Sequence, residues 1–181
     1  MDETTPQTLS DKNSPASIAG LFALLGDADP LVVQEQTPDE LAAATEYLDD
    51  KPLRTPERDG KWSIIEVAQH LADTELALSV RIRKMLAEQP DPDLFAYDQD
   101  KWAAGLRYRE MSLQDALMQL RLLRAANLRL MRSATPEQME QGGIHPERGR
   151  ESLQYTARLY AGHDLYHLGQ IARIKGAIGV E

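Results

Sequence analysis

Two histidines four positions apart, His163 and His167, are the residues best suited to chemistry. On an α-helix, residues four apart lie one above the other on one face, so both imidazoles can bind a single metal ion. The segment HDLYH is not the HExxH motif of zinc proteases, because Asp164 is one methylene shorter than the Glu that acts as base in that motif. Taken alone, the pair is equally compatible with two helix histidines that bind no metal.

The apolar pattern around the pair places it on the inner face of its helix. His163 and His167 share a stripe with Ile174, and two buried imidazoles need hydrogen-bond partners or a metal to offset their lost hydration. His70 lies on the apolar face of another predicted helix, beside Val67, and by itself is typical of a lone core histidine bonded to a carbonyl. Together with the pair, it would supply three nitrogen ligands from facing helices and leave positions open for water or substrate, as catalytic zinc sites do.

Two carboxylates are candidates to orient these imidazoles. Asp73, three residues after His70, and Asp164 could each accept a hydrogen bond from a ligating ring, or could be solvated surface groups. The orienting role suits Asp73 better than Asp164. The fourth histidine, His145, falls in a loop and is expected near the site at most.

Composition excludes several other kinds of site. The 181-residue chain has no cysteine, which rules out thiol catalysis by the protein, iron–sulfur clusters and thiolate zinc sites. Its 20 basic and 29 acidic side chains give a net charge of −9, so we expect no nucleic acid bound through a broad basic face. Residues 1–7 lack the basic and apolar regions of a secretory signal, and the nearly apolar stretch 18–25 is too short to span a membrane. We therefore expect a cytoplasmic protein without membrane contact.

Capping signals and apolar spacing predict the elements that hold these residues. Four segments begin with helix N-cap chemistry: Thr37-Pro38, Ser63-Ile64-Ile65-Glu66, Ser112-Leu113 and Thr135-Pro136. Apolar residues recurring at three and four positions predict long helices over 63–89, 112–132 and 152–175, and a shorter helix over 38–48. Pro90 ends the first of these, and Gly176 and Gly179 fit the end of the last. No segment alternates convincingly with period two, so no sheet is expected.

These elements predict an all-α four-helix bundle as one domain over residues 16–181, preceded by a polar, flexible arm over 1–15. Residues 16–34 could add a small helix or turn. Two connections, Pro90–Glu110 and Gln141–Arg150, are longer than tight turns and are typical of lids or interface elements. Tyr97, Asp98 and Arg148 on these loops are candidates for binding substrate above the metal, with ordinary loop packing as the alternative.

Two blocks of the sequence resemble the DinB-like superfamily of metal-binding four-helix bundles. They are WSIIEVAQHLADTE over 62–75 and HDLYHLGQI over 163–171, and the similarity extends from about residue 37 to residue 178. YDQDKW at 97–102 and HPERG at 145–149 are similar to one branch of that superfamily. The resemblance implies up-down-down-up connectivity, a homodimer, and a divalent ion, zinc or nickel, held by three histidines. The matching positions here are His70, His163 and His167.

The resemblance also implies a small-molecule substrate. Members include S-transferases that use bacillithiol, glutathione or mycothiol, a mycothiol-dependent maleylpyruvate isomerase, and proteins described as metal-dependent hydrolases. The ion would lower the pKa of a water or a substrate thiol, and without cysteine in the chain that thiol must be a low-molecular-weight cosubstrate. The competing prediction is a non-catalytic metal-binding bundle with a structural or stress-related role, although structural zinc usually has four protein ligands rather than three. An interaction protein built on the acidic surface rests on charge alone.

Overall fold

The computed structural model describes residues 17–180, so the predicted arm over 1–15 lies outside the described residues. The helices are α1 (Ile18–Leu25), α2 (Pro30–Thr45), α3 (Asp50–Arg54), α4 (Ile64–Ala87), α5 (Gln99–Gly105), α6 (Leu113–Ser133), α7 (Pro136–Met139) and α8 (Leu153–Ile178), with a 3-10 turn at Tyr108–Glu110. Strands β1 (Gly142–His145) and β2 (Gly149–Ser152) form an antiparallel hairpin. The predicted helical bundle is confirmed: α2, α4, α6 and α8 are its four long helices. Across this described range, no helix is both long enough and apolar enough to cross a membrane.

The four long helices run up, down, down and up along the chain. Helices α4 and α6 are parallel, since Asp73 contacts Gln119 and, further along both helices, Ser79 contacts Asn127. Helices α2 and α8 are also parallel, since Gln34 contacts Ala157 and, further along both helices, Ala44 contacts Lys175. Contacts between the two pairs run in opposite directions: Arg121 and Arg132 of α6 contact Asp39 and Glu35 of α2, and His70 and Arg81 of α4 contact His163 and Tyr160 of α8. Each parallel pair is therefore antiparallel to the other.

The crossover between α4 and α6 occupies residues 88–112. Helix α4 has 24 residues and is about 36 Å long, a distance that the returning chain must cover because α6 is parallel to α4. The first part of the crossover pairs with the hairpin: the Leu94 N–H donates to the carbonyl of Ile144, and the Ile144 N–H donates to that of Pro92, each at 2.9 Å. The second part forms α5 and the 3-10 turn, where Tyr108 is buried. The crossover is therefore ordered structure tied to the bundle.

The hairpin contradicts the prediction that the chain contains no sheet. Each strand has four residues, too few for period-two alternation to register, and β2 begins at Gly149, whose φ of +80° favours glycine. At Gly143 a Cβ would fall 2.5 Å from the side chain of Leu94, so the hairpin approaches the crossover very closely. These short strands are stabilised by their pairing with the crossover, and no local sequence pattern predicts that pairing.

The predicted helix start at Thr37-Pro38 is wrong. Helix α2 begins at Pro30, where the carboxylate of Asp29 caps it. Pro38 therefore lies inside the helix and has no N–H for the carbonyl of Gln34, four residues earlier. The guanidinium of Arg124 on α6 donates to that carbonyl at 2.5 Å instead. A tertiary hydrogen bond thus makes an interior proline tolerable.

The other three predicted helix starts are confirmed. Ser63 forms a capping box with Glu66, Ser112 caps α6, and Thr135 caps α7. Helices α4, α6 and α8 begin and end within three residues of the predicted bounds. Helix α8 ends at Ile178 and is capped by Gly179 in the left-handed conformation, whereas Gly176 lies inside the helix.

A polar layer crosses the middle of the bundle between two apolar clusters. The clusters include Leu78, Ile82, Met85, Leu128, Met131 and Leu153 towards one end, and Leu41, Val67, Leu71, Leu120, Ile171 and Ile174 towards the other. We call the buried side chains between them the polar layer: His70, Glu75, Arg124, Asn127, Asp164 and His167. Arg124, only 3% exposed, pairs with Glu75 at 2.9 Å and with Asp164 at 2.6 Å. These ion pairs join α4, α6 and α8.

The close packing of α1 on α8 predicts unequal effects at two glycines of α8. At Gly162 a Cβ would lie 2.2 Å from the backbone carbonyl oxygen of Leu21, whereas at Gly169 it would meet nothing within 4 Å. We expect Gly162→Ala to lower the free energy of unfolding by about 1–3 kcal/mol in urea denaturation. Gly169→Ala, the matched control, should raise it by about 0.5–1 kcal/mol through helix propensity. Equal effects of the two substitutions would contradict this close approach.

Candidate metal centre

Three histidines meet in the polar layer between α4 and α8. The Nε2 atom of His163 lies 3.1 Å from Nε2 of His70 and 3.1 Å from Nε2 of His167. All three candidate ligand atoms lie within 4.8 Å of one another. His70 and His167 are buried, whereas His163 is partly exposed, so the group meets solvent at His163. The structure thus brings together the three histidines that the sequence singles out.

Helix geometry places each of these rings. His70 lies in the second turn of α4, whose start is fixed because the backbone N–H and the hydroxyl of Ser63 donate to the Glu66 carboxylate at 2.8 and 2.6 Å. His163 and His167 lie one turn apart on α8, and their Nε2 atoms are brought together by the helix period. The site is therefore built on regular elements rather than on loops.

Burial keeps all three rings neutral. It lowers the pKa of His70 and that of His167 well below 6.5, and the neighbouring histidines lower both further. It also lowers the pKa of His163 to about 4, with added repulsion from the charges of Arg124 and Arg148. At neutral pH each ring carries a proton on one nitrogen and a lone pair on the other, which is the form of imidazole that binds metals.

Gln170 fixes the position of the proton on His167. The Nδ1 atom of His167 lies 2.8 Å from Oε1 of Gln170, which can only accept, so Nδ1 carries the proton and Nε2 keeps its lone pair. By contrast, the Nδ1 atoms of His70 and His163 are buried with no hydrogen-bond partner in the described part of the chain. Gln170 thus has the orienting role that the sequence analysis gave to a carboxylate. The sequence could have indicated this role, because Gln170 follows His167 by three residues and lies on the same helix face.

Asp73 and Asp164 are not bonded to the imidazoles. Asp73 accepts from the Tyr108 hydroxyl at 2.6 Å and from the Gln119 amide at 2.8 Å, while Asp164 pairs with Arg124. Both carboxylates are buried, so neither is the solvated surface group of the alternative prediction. These donors lie on the crossover and on α6, and no local pattern around either aspartate indicates them; Gln69 of α4 adds a longer contact to Asp73 at 3.4 Å.

A pair of hydroxyls lies beside the histidines. The Oγ1 atom of Thr74 is 3.4 Å from Nε2 of His70 and 2.8 Å from the Tyr97 hydroxyl. Burial raises the pKa of Tyr97 far above its usual value, so this phenol keeps its proton. Tyr97, a predicted substrate contact, therefore lies near the site. Thr74 was missed, although it follows His70 by one helical turn on the same face.

Aromatic rings pack around the histidines. The Trp62 ring contacts His70 with centroids 4.9 Å apart, and the Tyr166 ring contacts His167 edge-on at 5.0 Å. From the crossover, Tyr97 stacks on Trp102 at 4.1 Å. Aromatic rings therefore contact two of the three histidines directly.

The remaining candidates have other partners. Asp98 is exposed and caps α5 through two backbone N–H groups at 3.1 and 3.0 Å. Arg148 pairs with the buried carboxylate of Glu151 in the hairpin and acts on His163 through its charge. His145 is buried at the end of β1, rather than in a loop, and lies outside the three-histidine group.

Two of the three nitrogen separations in the histidine group suit one divalent metal ion. Nitrogen atoms bound tetrahedrally to one zinc at about 2.0–2.1 Å lie about 3.3 Å apart. The two Nε2 separations of 3.1 Å are close to that value. Within residues 17–180, no fourth metal-binding side chain joins the group, so a bound ion would keep positions for other ligands.

The chain is similar to a known family and to several known proteins. The family model of the DinB superfamily matches residues 34–171. A Bacillus mycoides protein named "Putative metal-dependent hydrolase" is 31% identical over 141 residues, covering 78% of this chain and 80% of that protein. YfiT of Bacillus subtilis, which carries the same name, is 29% identical over 148 residues, or 81% and 83% of the two chains. The solved structure of YfiT, called "a probable metal-dependent hydrolase with an unusual four-helix bundle topology", matches at 27% identity with a TM-score of 0.79. That match covers 84% of this chain and 87% of the other.

The neutral rings predict a loss of stability in mild acid for the metal-free protein. Below pH 6.5 the unfolded chain takes up protons at its histidines, whereas folded His163 does so only near pH 4. When the pH falls from 7 to 5, the free energy of unfolding should therefore decrease by about 2 kcal/mol because of His163 alone. His70 and His167 act in the same direction. In urea denaturation, His163→Asn should lose less stability over this pH range than the wild type, and identical losses would contradict the buried neutral state.

Proposed function

This chain belongs to the DinB superfamily, and from that premise we propose that it is a metal-dependent hydrolase of a small molecule. His70, His163 and His167 would hold one divalent ion through their Nε2 atoms. The proposal is carried by the convergence of these three neutral rings on one point in a buried layer. It is supported by relatives that bear the name of a metal-dependent hydrolase.

Proton counting supports an ion at this point. Nε2 of His167 has no proton, because Nδ1 holds it for Gln170. If Nε2 of His163 donates to His167, it cannot also bond His70; if it accepts from His70, its contact with His167 has no proton. At most one of the two 3.1 Å contacts can therefore be a hydrogen bond. A cation shared by three lone pairs satisfies all three nitrogens.

The residues around the ion site would bind and orient the substrate. A divalent ion bound there supplies Lewis-acid chemistry, lowering the pKa of a water or a thiol that it binds. The protein holds the three rings neutral, packs aromatic side chains against two of them, and places the hydroxyls of Thr74 and Tyr97 next to His70. Because the Tyr97 phenol keeps its proton, it would donate a hydrogen bond to a substrate oxygen.

Thiol S-transfer is the second candidate, and the positions of the carboxylates favour it. In the described part of the chain no carboxylate bonds to the three rings, since Asp73 and Asp164 have other partners. Free water has a pKa of about 15.7 and a free thiol about 8.5, so a thiol depends less on a nearby base than water does. The chain has no cysteine, so the thiol would be a small-molecule cosubstrate.

Several finer assignments complete the proposal. Zinc or nickel is the proposed ion, because imidazole nitrogen suits both. A homodimer, a cytoplasmic location and a single domain over 16–181 are supported by the sequence and the family resemblance. A non-catalytic role is less well supported, because a structural zinc usually has a fourth protein ligand and the group described above has three.

Metal content tests the proposed ligands. After zinc loading and removal of excess ion, elemental analysis should find about one ion per wild-type chain and none in His70→Ala or His163→Ala. His145→Ala is the matched control, since it removes the histidine outside the group and should keep the ion. An ion-free wild type, or equal loss in the control, would overturn the assignment.

The hydroxyl of Tyr97 is expected to contribute to turnover. In zinc-loaded protein, Tyr97→Phe should lower kcat about tenfold, the effect of one lost hydrogen bond, without loss of the ion. Tyr47→Phe is the control, because the side chain of Tyr47 is 89% exposed and makes no contact with the three histidines in the described part of the chain. Equal rates in Tyr97→Phe and Tyr47→Phe would contradict this role.

The same assay separates the two candidate reactions. Ester and amide substrates are offered without thiol, and a chlorodinitrobenzene-type electrophile is offered with a panel of low-molecular-weight thiols. Turnover of esters or amides alone supports hydrolysis. Thiol-dependent consumption of the electrophile, with no ester or amide turnover, supports S-transfer instead.

A further inference from the structure

A pocket of about 400 Å³, a volume typical of small-molecule sites, lies between α1, α8 and the segment before α4. Its walls come from the segment before α4 and from one flank of α8, with Leu24 of α1 completing them. Gly169 forms part of the α8 wall, and a Cβ there would meet no atom within 4 Å. The pocket is therefore wide at this point.

The pocket is positively charged, although the chain as a whole is acidic. Three cations line it, Arg58, Lys61 and Arg173, against the single carboxylate of Glu57. Arg173 pairs with Glu57 at 2.8 Å. Within residues 17–180, neither Arg58 nor Lys61 has a carboxylate within ion-pair distance. Two cations are thus free to bind a ligand in a protein whose net charge is −9.

Both walls of the pocket adjoin the candidate metal ligands. On one side, Lys61 directly precedes Trp62, whose ring contacts His70. On the other side, the pocket-lining ring of Tyr166 contacts His167 edge-on. The pocket is therefore connected to the three-histidine group by the ring of Tyr166 on one wall and, on the other, by the residue that precedes Trp62.

We propose that this pocket binds the anionic group, a carboxylate or a phosphate, of the substrate that reacts at the three-histidine group. Arg58 and Lys61 would form charge-assisted hydrogen bonds with the anion, and the face of Tyr166 would contact its apolar part. The link to a substrate rests on the proposed function, whereas binding of an anion in the pocket does not. A neutral molecule of the same shape would leave both cations unpaired and would bind more weakly.

The first test measures anion binding to the metal-free protein, so that an ion cannot supply the affinity. Benzoate and inorganic phosphate are titrated separately, with benzyl alcohol as the neutral counterpart of benzoate, and the amide signals of Lys61 and Gly169 are followed by NMR. We expect at least one anion to bind, and the one that binds more tightly identifies carboxylate or phosphate as the preferred group. Saturable shifts with benzyl alcohol alone, or with none of the three, would overturn the proposal.

Three variants distinguish anion binding in the pocket from a general effect of the protein's charge. Arg58→Gln/Lys61→Gln should raise the Kd of the anion at least about tenfold, because two charge-assisted contacts are lost. Lys84→Gln/Arg121→Gln removes the same charge from α4 and α6 outside the pocket and should change Kd little. Gly169→Leu should abolish binding by filling the pocket while leaving every charge in place. Equal weakening in the two double variants, or unchanged binding in Gly169→Leu, would contradict the site.

The second test asks whether the pocket serves the three-histidine group. In protein loaded with cobalt, a paramagnetic stand-in for the ion, the signals of bound benzoate should broaden strongly, and Gly169→Leu should remove the broadening. Binding of benzoate without broadening would contradict the substrate role. Failure of cobalt to bind would contradict the proposed metal centre alone, because the titrations on the metal-free protein still report on the pocket.

Discussion

At the centre of the bundle, the Nε2 atom of neutral His163 lies within hydrogen-bond distance of the Nε2 atoms of two other neutral histidines, His70 and His167, in a layer that is mostly buried. They carry too few protons to satisfy one another, since Gln170 holds the proton of His167 on the far side of its ring. Burial makes such unsatisfied polar atoms costly, and it also suppresses protonation, the other means of relieving them. A divalent cation bound to the three lone pairs, as we propose, would satisfy these nitrogens without protonation.

The fold brings these rings together through its polar layer and its unusual connectivity. Arg124 pairs with Glu75 and Asp164, next to His163, and also bonds the Gln34 carbonyl that Pro38 leaves without a donor. One buried guanidinium therefore joins all four long helices at the level of the site. Because α4 and α6 are parallel, the chain must return along the bundle, and this crossover supplies Tyr97 to the histidines. The connectivity of the bundle therefore determines which residues lie beside the histidines. If α4 and α6 were antiparallel, a short turn could join them and no crossover would be needed.

Sequence reasoning succeeded where the signal is local. Capping at Ser63, Ser112 and Thr135 and helical apolar spacing located α4, α6 and α8, and three helical histidines on inner faces indicated one group. It failed where a tertiary contact decides: the same Thr-Pro signal that starts α7 lies inside α2, because Arg124 bonds the freed carbonyl. The hairpin depends on the crossover, and the partners of Asp73 are distant in sequence. Gln170 and Thr74 could have been identified, since both lie on the same helix faces as the ligands.

The central claim is that one divalent ion sits on His70, His163 and His167 with a position left open. Anomalous diffraction at the zinc edge, from crystals of the zinc-loaded protein, tests it most directly. The account predicts a single anomalous peak per chain, about 2.0–2.1 Å from each of the three Nε2 atoms, with no fourth protein ligand. A peak elsewhere in the molecule, a peak bound by fewer than these three rings, or a fourth protein side chain closing the coordination would contradict it.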